Sequence, residues 1–341
     1  MFLRDIWYLV LPGEGLKPGR IVPKTLLGER LIIGRDSAGV PFCLRDFCPH
    51  RGMPLSFGHF DGREIECCYH GWRFDPSGRC TAIPSLVEAQ SFDLSRIKAV
   101  AYPCREVQGN IWVFFPSARE TPNPLPEIPE VPAVGAGSYQ LALTMVFPCA
   151  VDHAVVGLMD PAHGPFVHRS WFWRSRRSAH EKERRFEPSP FGFRMVRHRP
   201  SSNSRAYKLL GRPTTEITFR LPGIRVEHIE SDNGVVCNLT AVTPIDKDNT
   251  QINHLVYWTI PWLGLLKPLA RRLGRRFLDQ DRETVARQQL GLAGDPALML
   301  IDDADRPAKW YYRIKAEFAR AQDEGRAFVN PVRERVLHWR S

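Results

Sequence analysis

Alternating apolar and polar positions recur along most of the chain and predict short β-strands. In the first third, apolar segments separated by glycines predict strands at residues 26–27, 30–33, 41–44, 72–78 and 110–115. The second half predicts a longer series of strands with one buried face each, at residues 140–146, 192–198, 215–221, 224–230, 235–243 and 251–259. Asn233-Gly234 is typical of a tight β-hairpin between two of them.

Helical periodicity appears at residues 153–171, 265–290 and 308–321. A series of strands flanked by helices predicts an α+β fold, in which helices cover one side of an antiparallel sheet. Six prolines between Pro116 and Pro132 predict an extended linker. The pattern therefore predicts an all-β domain at residues 1–116, a linker at 117–132 and a second domain at 133–341.

The composition is that of a folded globular protein, with 43% hydrophobic and 25% charged residues in a chain of 341. The most apolar run, residues 255–266, is twelve residues long and contains Pro261, which is too short to cross a bilayer. The N-terminal residues lack the pattern of a secretory signal. Eight cysteines form no regular disulfide framework. A reducing, cytoplasmic location is therefore expected.

The net charge of +10 raises the question of a nucleic-acid partner. The basic residues concentrate at 169–185 and 267–276, and neither stretch lies within a nucleic-acid-binding module. Nucleic acid is therefore not an expected partner. The two stretches are interpreted either as solvated faces or as a surface that meets an acidic electron-donor protein.

Two short segments pair a cysteine with a histidine: Cys48-x-His50 and Cys67-x-x-His70. Two thiolates and two imidazoles suit either a tetrahedral zinc ion or a two-iron, two-sulfur cluster. Zinc modules usually place like ligands together, whereas each segment here mixes them, which favours the cluster. Cys67, and not the adjacent Cys68, keeps the two-residue gap to His70. Cys68 is predicted to be a small buried residue.

A second pair of histidines, His163 and His168, lies in the segment Asp-Pro-Ala-His-Gly-Pro-Phe-Val-His at residues 160–168. Two imidazoles at this spacing, on a helix that Gly164-Pro165 distorts, can converge on one metal ion. With one carboxylate they form the facial triad that holds non-haem Fe(II) and leaves positions open for dioxygen.

These motifs resemble the Rieske family, in which Cys48, His50, Cys67 and His70 match the four cluster ligands. The whole chain resembles the Rieske non-haem iron oxygenases, in particular the α-subunits that act as O-demethylases and monooxygenases. The resemblance implies an N-terminal Rieske domain followed by a helix-grip catalytic domain. It also implies iron ligation by His163, His168 and a carboxylate from a late helix.

Asp281 is the best match for that carboxylate, while Asp279 and Glu283 stay open as alternatives because they neighbour it on the same predicted helix. The chain departs from the family at one place. Many members have an asparagine just ahead of the aspartate, near the iron, whereas Val156 and Gly157 stand here.

The resemblance implies a terminal oxygenase with a [2Fe-2S] cluster and Fe(II) as cofactors. Electrons from a ferredoxin or ferredoxin reductase pass through the cluster to the iron, and O2 is used to hydroxylate, dihydroxylate or demethylate a hydrophobic, aromatic or polycyclic substrate. It also implies a homotrimer, in which Asp160 links His163 to His70 of the adjacent chain. The structural alternative for Asp160 is a helix N-cap ahead of Pro161.

Two other functions are compatible with the sequence. Residues 258–276 carry apolar residues followed by five cations, as an interfacial helix does, which suggests an oxygenase of sterol-like or porphyrin-like substrates with a weak membrane contact. A core helix with a solvated basic side has the same pattern. A Rieske electron-transfer protein without oxygenase activity is expected instead if the second domain holds no iron.

Overall fold

The computed structural model describes residues 2–87, 89–90, 92–117, 124–168, 176–201 and 205–341. The chain forms two units, Phe2–Ile128 and Pro129–Ser341. The boundary between them falls within the predicted proline-rich linker, of which residues 118–123 lie outside the described part. No described helix is both long and apolar enough to cross a membrane.

Short antiparallel strands build the N-terminal unit. In chain order they are β1 (Ile6–Pro12), β2 (Arg20–Leu26), β3 (Glu29–Arg35), β4 (Pro41–Arg45), β5 (His59–Phe60), β6 (Ile65–Glu66), β7 (Arg73–Phe74), β8 (Cys80–Ala82), β9 (Ala101–Tyr102), β10 (Cys104–Val107) and β11 (Asn110–Phe115). They form three sheets with the orders β1-β11-β10, β2-β3-β4-β9 and β5-β6-β7-β8.

Two apolar clusters form the core of this unit, and one of them supports the cysteine segments. Cys48 and Cys67 are buried in the cluster that also contains Ile32, Leu44 and Phe74. Burying one leucine, isoleucine or phenylalanine side chain stabilises the folded state by about 1.5–3 kcal/mol. The cysteines are therefore attached to a well-packed part of the unit.

One large antiparallel sheet and four helices form the C-terminal unit. In chain order its elements are β12 (Leu141–Phe147), α1 (Val151–Met159), α2 (Gly164–Val167), β13 (Glu181–Ser189), β14 (Gly192–His198), β15 (Thr214–Arg220), β16 (Ile224–Ser231), β17 (Gly234–Pro244), β18 (Thr250–Trp258), α3 (Lys267–Leu292), α4 (Arg306–Asp323) and β19 (Arg335–Arg340). The sheet order is β12-β18-β17-β16-β15-β14-β13-β19. The predicted α+β class, an all-β domain followed by an antiparallel sheet with helices, is confirmed.

The helices pack on the sheet and on one another. α1 contacts β17 and α4, while α3 contacts β12. The Asp152 carboxylate of α1 accepts hydrogen bonds from the Tyr311 hydroxyl at 2.6 Å and from the Lys315 ammonium at 2.8 Å, both on α4. These bonds hold the first turn of α1, the helix that leads to the two histidines.

The predicted helix at residues 153–171 is wrong in its continuity. The chain forms α1, a turn and the short α2 there, and residues 169–171 lie outside the described part. Asp160 and Pro161 interrupt the helix, because the residue before a proline is disfavoured in the helical conformation. The helices predicted at 265–290 and 308–321 correspond to α3 and α4.

Candidate metal centres

The two cysteine–histidine segments adopt the same backbone geometry. The Cys48 amide donates to the Met53 carbonyl at 2.7 Å, and the Cys48 carbonyl accepts from the Gly52 amide at 2.9 Å. The same two bonds join Cys67 to the residues five and four positions further on, at 2.8 and 2.9 Å. The segments are therefore two equivalent loops, each presenting one sulfur and one imidazole.

A glycine with positive φ closes each loop. Gly52 has φ of 73° and Gly71 has φ of 71°. A side chain at either position would strain the backbone, because L-residues rarely adopt this conformation. The two glycines thus hold the two loops in the same turn.

The four predicted cluster ligands are sorted by depth. Cys48 and Cys67 are buried, whereas His50 and His70 are partly exposed. The two imidazole rings lie with their centroids 4.6 Å apart, and the His50 ring stacks on Trp72 at 4.4 Å. An inner pair of sulfurs and an outer pair of nitrogens suits a cluster whose one iron takes both cysteines and whose other takes both histidines.

The chemistry of the Cys48 sulfur also fits a bound cation. Burial raises the pKa of the Cys48 thiol to about 11 and the neighbouring Cys67 thiol adds to the rise, while the backbone amides of His50 and Arg51 oppose it. Metal ligation needs the thiolate, so the positive charge of iron would offset this burial. The amides that point at the sulfur supply hydrogen bonds for the ligated form.

The zinc alternative requires all four ligand atoms around one point. Within the described residues, three or more potential ligand atoms come within 4.8 Å of one another at His163, His168 and Asp281, and not at the two loops. A two-iron cluster spreads its ligands more widely than a single ion does. The geometry of the loops therefore favours the cluster over zinc.

The prediction that Cys68 is buried is wrong. Its thiol is exposed, next to the buried Cys67. Cys68 is the first residue of the turn at 68–70, in which the Gly71 amide donates to the Cys67 carbonyl at 2.9 Å. The turn lies at the surface, so the Cys68 side chain faces solvent while Cys67 stays buried.

The second group of predicted ligands surrounds the short helix α2. His163 immediately precedes it as its N-cap, and His168 follows it as its C-cap. One turn of helix between them brings the two imidazoles together, with their Nε2 atoms 3.2 Å apart. His168 is buried, with a side-chain exposure of 3%, while His163 is partly buried.

α3 brings Asp281 to these imidazoles. Leu278, Asp281 and Val285 share the inward stripe of the helix, and both apolar neighbours are buried. Asp281 Oδ1 lies 3.2 Å from His168 Nε2 and 3.8 Å from His163 Nε2. These separations suit three ligands on adjacent positions of one ion with bonds of about 2.1 Å.

The two alternative carboxylates lie elsewhere on α3. Asp279 forms an ion pair with Arg282 at 2.6 Å, and Glu283 forms one with Arg287 at 3.1 Å. Both pairs are partly or largely exposed to solvent. The helix therefore presents Asp281 to the histidines and the other two acids to other sides.

Hydrogen bonds at both Nδ1 atoms orient the imidazoles. His168 Nδ1 donates to Gln280 Oε1 at 3.2 Å, and His163 Nδ1 donates to the Asp160 carbonyl at 3.0 Å. With a proton on each Nδ1, both Nε2 lone pairs are free to bind a metal ion. The His168 ring also stacks on Phe277, with centroids 3.5 Å apart. Gln280 and Phe277 were not predicted, and only their closeness to Asp281 in sequence could have suggested them.

Asp160 and His163 do not lie on one continuous helix, contrary to the helix predicted at residues 153–171. It ends α1 as its C-cap, and residues 160–163 form a turn. One carboxylate oxygen accepts from the Ala162 amide at 2.7 Å, and the other lies 3.5 Å from His163 Nδ1. The alternative role as an N-cap is also wrong, because His163 is the N-cap of α2.

Two neighbouring carboxylates raise the pKa of the His163 imidazole. Burial lowers the pKa of the His163 imidazole, but the hydrogen bond and charge of Asp160, together with the charge of Asp281, outweigh burial and raise it overall. Two carboxylates therefore favour a positive charge at this point. A bound metal cation supplies that charge as well as a proton does.

Two of the three converging side chains, His163 and Asp281, lie at a cavity of about 320 Å³ within the C-terminal unit. His163, Asp281 and Asp160 line it together with many apolar side chains, among them Phe147, Val156, Val242, Ile252, Leu278 and Val285. Val156 and Gly157 are also part of the wall. The cavity suits a small, mostly apolar molecule beside a metal ion.

A partly buried histidine supports one of the polar groups in this wall. Thr240 lines the cavity, and its hydroxyl lies 2.8 Å from His254 Nδ1 on the neighbouring strand. Burial lowers the pKa of His254 to about 4, and the charge of Arg225 adds to the effect. The imidazole is therefore neutral at neutral pH. Sequence pattern gives no sign of this pair, because the two residues meet only across β17 and β18.

Two family models match the chain. Residues 6–93 match the Rieske [2Fe-2S] domain, and residues 154–321 match the vanillate O-demethylase oxygenase C-terminal domain. The chain therefore belongs to the Rieske oxygenases. Within this class it has the C-terminal domain of the O-demethylase type, as the sequence motifs predict. A [2Fe-2S] cluster and a mononuclear iron are the cofactors that these two domains imply.

Curated relatives match the chain over part of its length. Chlorophyllide a oxygenase of Chlamydomonas reinhardtii is 34% identical over 50% of this chain and 25% of its own. The 4β-methylsterol monooxygenase of Methylococcus capsulatus is 38% identical over 37% of this chain and 35% of its own. The chain thus spans about a quarter to a third of the length of these relatives.

A solved structure has the same fold over nearly the whole chain. Dicamba monooxygenase bound to dicamba superposes with a TM-score of 0.74, covering 95% of this chain and 98% of that protein, at 19% sequence identity. At this identity the likeness concerns the fold and not the substrate.

Proposed function

We propose that this chain is a terminal oxygenase, which uses O2 and electrons relayed through a Rieske [2Fe-2S] cluster to a mononuclear Fe(II). Cys48, His50, Cys67 and His70 hold the cluster, and His163, His168 and Asp281 hold the iron. The reaction is the hydroxylation, dihydroxylation or demethylation of a hydrophobic substrate. Bound Fe(II), supplied with electrons by the cluster, provides the activation of O2.

One observation carries the proposal: three ligand atoms within 4.8 Å of one another, from His163, His168 and Asp281, beside an apolar cavity. Three protein ligands leave other positions of an iron ion open to O2 and substrate. An electron-transfer protein would need neither the three ligands nor the cavity. The arrangement therefore supports an oxygenase over a carrier.

The side chains around the iron position have separate tasks. Gln280 keeps the His168 ring in the tautomer that offers Nε2, and the Asp160 carbonyl does the same for His163. The apolar wall excludes water from the reacting centre, which strengthens the electrostatic interactions inside it. Thr240 offers the substrate a hydroxyl that the neutral His254 orients.

The substrate is proposed to be aromatic or polycyclic. The cavity wall supports this class because Val, Ile, Leu and Phe side chains form much of it, among them Phe147, Val242 and Ile252. The names of the relatives include a chlorophyllide oxygenase and a methylsterol monooxygenase, both of which act on ring systems. Polycyclic substrates of the sterol or porphyrin kind are therefore the alternative that the comparisons favour most.

Electron transfer is proposed to involve a second copy of the chain. A ferredoxin or ferredoxin reductase reduces the cluster, and the chains form a homotrimer in the cytoplasm. Asp160 has one carboxylate oxygen 3.5 Å from His163 Nδ1. In the proposed trimer this carboxylate also accepts a hydrogen bond from His70 of the adjacent chain and so links the two metal centres.

The test is substrate-dependent oxygen uptake by the iron-loaded, full-length chain with NADH, a generic ferredoxin and its reductase. A library of aromatic, sterol-like and porphyrin-like compounds would be screened, and products identified by mass spectrometry. We expect at least one compound to stimulate uptake and gain oxygen or lose a methyl group. Asp281→Ala should abolish this reaction, while Asp279→Ala, the matched control, should retain it. Equal uptake by both variants would contradict the proposal.

A further inference from the structure

Large apolar side chains are exposed where the chain enters α3. The 3₁₀ turn Pro261–Leu266 and the first turn of α3 carry Trp262, Leu265, Leu266 and Leu269, with exposures of 40%, 84%, 39% and 52%. Single exposed apolar residues are ordinary on a protein surface, but a cluster of this kind marks an interaction site. We call this cluster the apolar tip.

Five cations lie within or just after the apolar tip on the same helix: Lys267, Arg271, Arg272, Arg275 and Arg276. None of them forms an ion pair or hydrogen bond with another described side chain. No Asp or Glu occurs in residues 249–278. The first three turns of α3 therefore carry a positive charge that nothing on the described surface neutralises.

Arg272 and Arg276 share the outer side of the helix with the apolar tip. Leu265, Leu269 and Arg272 follow one another at spacings of four and three residues, which places them on one face. Gly274 faces the other way, because a Cβ added there would lie 2.8 Å from Leu143 of the sheet. The outer side is therefore free for an external partner.

We propose that the apolar tip and the following cations dock the protein on the surface of a membrane that contains anionic lipid. The leucines and Trp262 would enter the boundary between headgroups and acyl chains, while the arginines bind lipid phosphates. Helices with this division of apolar and basic residues lie in the membrane interface. Each cation near an anionic membrane surface strengthens binding by about tenfold or less.

Lipid fits this surface better than an acidic protein does. An acidic protein would pair with the arginines but would leave Leu265, the most exposed residue of the tip, in water. A bilayer interface accommodates both chemical types at adjacent depths. A hydrophobic ring-containing substrate also concentrates in bilayers, a point that rests on the proposed function above.

The docking surface lies close to the proposed iron site along the same helix. Asp281 follows Leu269 by twelve residues, which is about 18 Å of helix. Between them Phe277 is partly exposed, and its ring stacks on the proposed iron ligand His168. Docking by this surface would hold the iron centre near the lipid headgroups.

The experiment measures co-sedimentation of the purified full-length chain with two kinds of vesicle: phosphatidylcholine alone, and phosphatidylcholine mixed with phosphatidylglycerol. We expect binding to the mixed vesicles, weakening as salt rises because counterions screen the charges. The double variant Leu265→Ser/Leu269→Ser should bind at least about tenfold more weakly. The triple variant Arg271→Gln/Arg272→Gln/Arg275→Gln should lose up to about a hundredfold.

Matched controls lie elsewhere on the surface. Val40→Ser/Val329→Ser removes two exposed apolar side chains, and Lys17→Gln/Arg20→Gln/Arg333→Gln removes three exposed cations. Both controls should bind vesicles as the parent does. All variants should keep the parent's circular dichroism spectrum.

Three results would overturn the proposal. These are no binding of the parent to mixed vesicles, equal loss in the variants and their controls, or a change of oligomeric state in the tip variants by analytical ultracentrifugation. The last result would make the tip a contact between copies of the chain. A fourth result would count against lipid as the partner of the cations. This is slower reduction of the cluster by ferredoxin in the triple variant with vesicle binding unchanged, which would assign the cations to an acidic protein. Vesicle binding needs no turnover, so its failure would leave the oxygenase proposal untouched.

Discussion

At the scale of single residues, neighbouring positions in the chain lie in different surroundings. Cys67 is buried and Cys68 is exposed, although they are adjacent. Asp281 meets two imidazoles, whereas Asp279 pairs with Arg282. Substitutions at such neighbouring pairs distinguish a ligand from a bystander with little change in composition.

The adjacent cysteines give the first prediction. Cys67→Ser should lose the visible absorption of the cluster, because the hydroxyl of serine replaces a thiolate ligand. Cys68→Ser, the matched control, should keep it, because the exposed Cys68 thiol is not part of the buried pair. Absorption and circular dichroism spectra of the anaerobically purified variants provide the measurement. Bleaching of the Cys68 variant alone would assign the wrong sulfur to the cluster.

Gln280 gives the second prediction. Its side-chain oxygen accepts from His168 Nδ1 at 3.2 Å, so Gln280→Leu removes the group that fixes the imidazole tautomer. Loss of such an orienting partner typically weakens metal binding about 10–100-fold. Titration of the iron-free site with Co(II), followed by its visible bands, measures this without turnover.

Two variants sharpen that measurement. Gln280→Glu keeps an acceptor for His168 and should bind Co(II) at least as tightly as the parent. Gln289→Leu changes a glutamine of α3 whose side chain donates to the Val285 carbonyl, and it should leave affinity unchanged. If Gln280→Leu binds Co(II) as tightly as the parent does, the hydrogen bond from His168 to Gln280 is not needed for metal binding.

At the scale of elements, apolar periodicity predicted most of the large sheet. The predicted strands at 192–198, 224–230 and 235–243 agree with β14, β16 and β17 within a residue or two. β13 was missed because charged residues dominate it, and its buried position Lys182 donates to the Ser341 hydroxyl at 2.8 Å. A buried lysine, whose amine is hydrogen-bonded to a hydroxyl far away in sequence, thus stands where the alternating pattern predicts an apolar side chain.

Other elements were missed for related reasons. β1 is buried along nearly its whole length, and a continuous apolar segment has no alternation to reveal a strand. β13 and β19 pair with each other across about 150 residues of chain, which local sequence cannot indicate. The later part of the basic stretch at 169–185 is therefore an element of the sheet, while residues 169–175 lie outside the described part.

The residues of the candidate site also fall into two groups: those that local sequence predicts and those that only the folded chain brings together. Ligand type and spacing within one loop or one helical turn were sufficient to propose Cys48, His50, Cys67, His70, His163 and His168 as ligands. The choice among three acids of α3 depends on which side of the helix faces α2, and spacing alone left it open. Contacts made across strands or helices, such as Thr240 with His254 and Gln280 with His168, need the folded chain.

His254 gives the third prediction, at the level of the sheet. Loss of hydration, together with the charge of Arg225, lowers the pKa of the His254 imidazole to about 4, below its ordinary value of 6.5. Between these two values the unfolded chain binds a proton that the folded chain does not, so stability falls as pH falls from about 6.5 toward 4. The loss attributable to this residue is on the order of 1 kcal/mol per pH unit in that window.

Urea unfolding at about pH 7.5 and about pH 5 measures this dependence. His254→Gln removes the titrating group while keeping a polar partner for Thr240, so its unfolding free energy should fall less on acidification than that of the parent. His338→Gln, at an exposed position, is the control and should behave as the parent does. Identical pH dependence in His254→Gln and the parent would exclude His254 as the cause.

At the scale of the whole molecule, electrons are proposed to pass between the two metal centres across two copies of the chain. Asp160→Asn gives the fourth prediction. Asparagine keeps an oxygen for the Ala162 amide, which the carboxylate accepts at 2.7 Å, so the turn should persist. The variant should fold, assemble and keep both metals, yet pass electrons from cluster to iron far more slowly.

Single-turnover reoxidation of the reduced cluster, with substrate and O2 present, measures this step. Asp152→Asn is the matched control, since Asp152 pairs with Lys315 and Tyr311 on α4 and lies outside the proposed electron path. It should reoxidise at the parental rate. If the cluster of Asp160→Asn is reoxidised at the parental rate, Asp160 has only a structural role in the turn.

The central claim is that one chain holds a two-iron cluster and, separately, one iron between His163, His168 and Asp281. The most direct measurement is the content of iron and acid-labile sulfide per chain in the parent and in His168→Ala. The parent should contain about three irons and about two sulfides, and the variant about two of each with an unchanged cluster spectrum. A parent with about two irons after anaerobic loading, or a variant that keeps the third, would contradict the account.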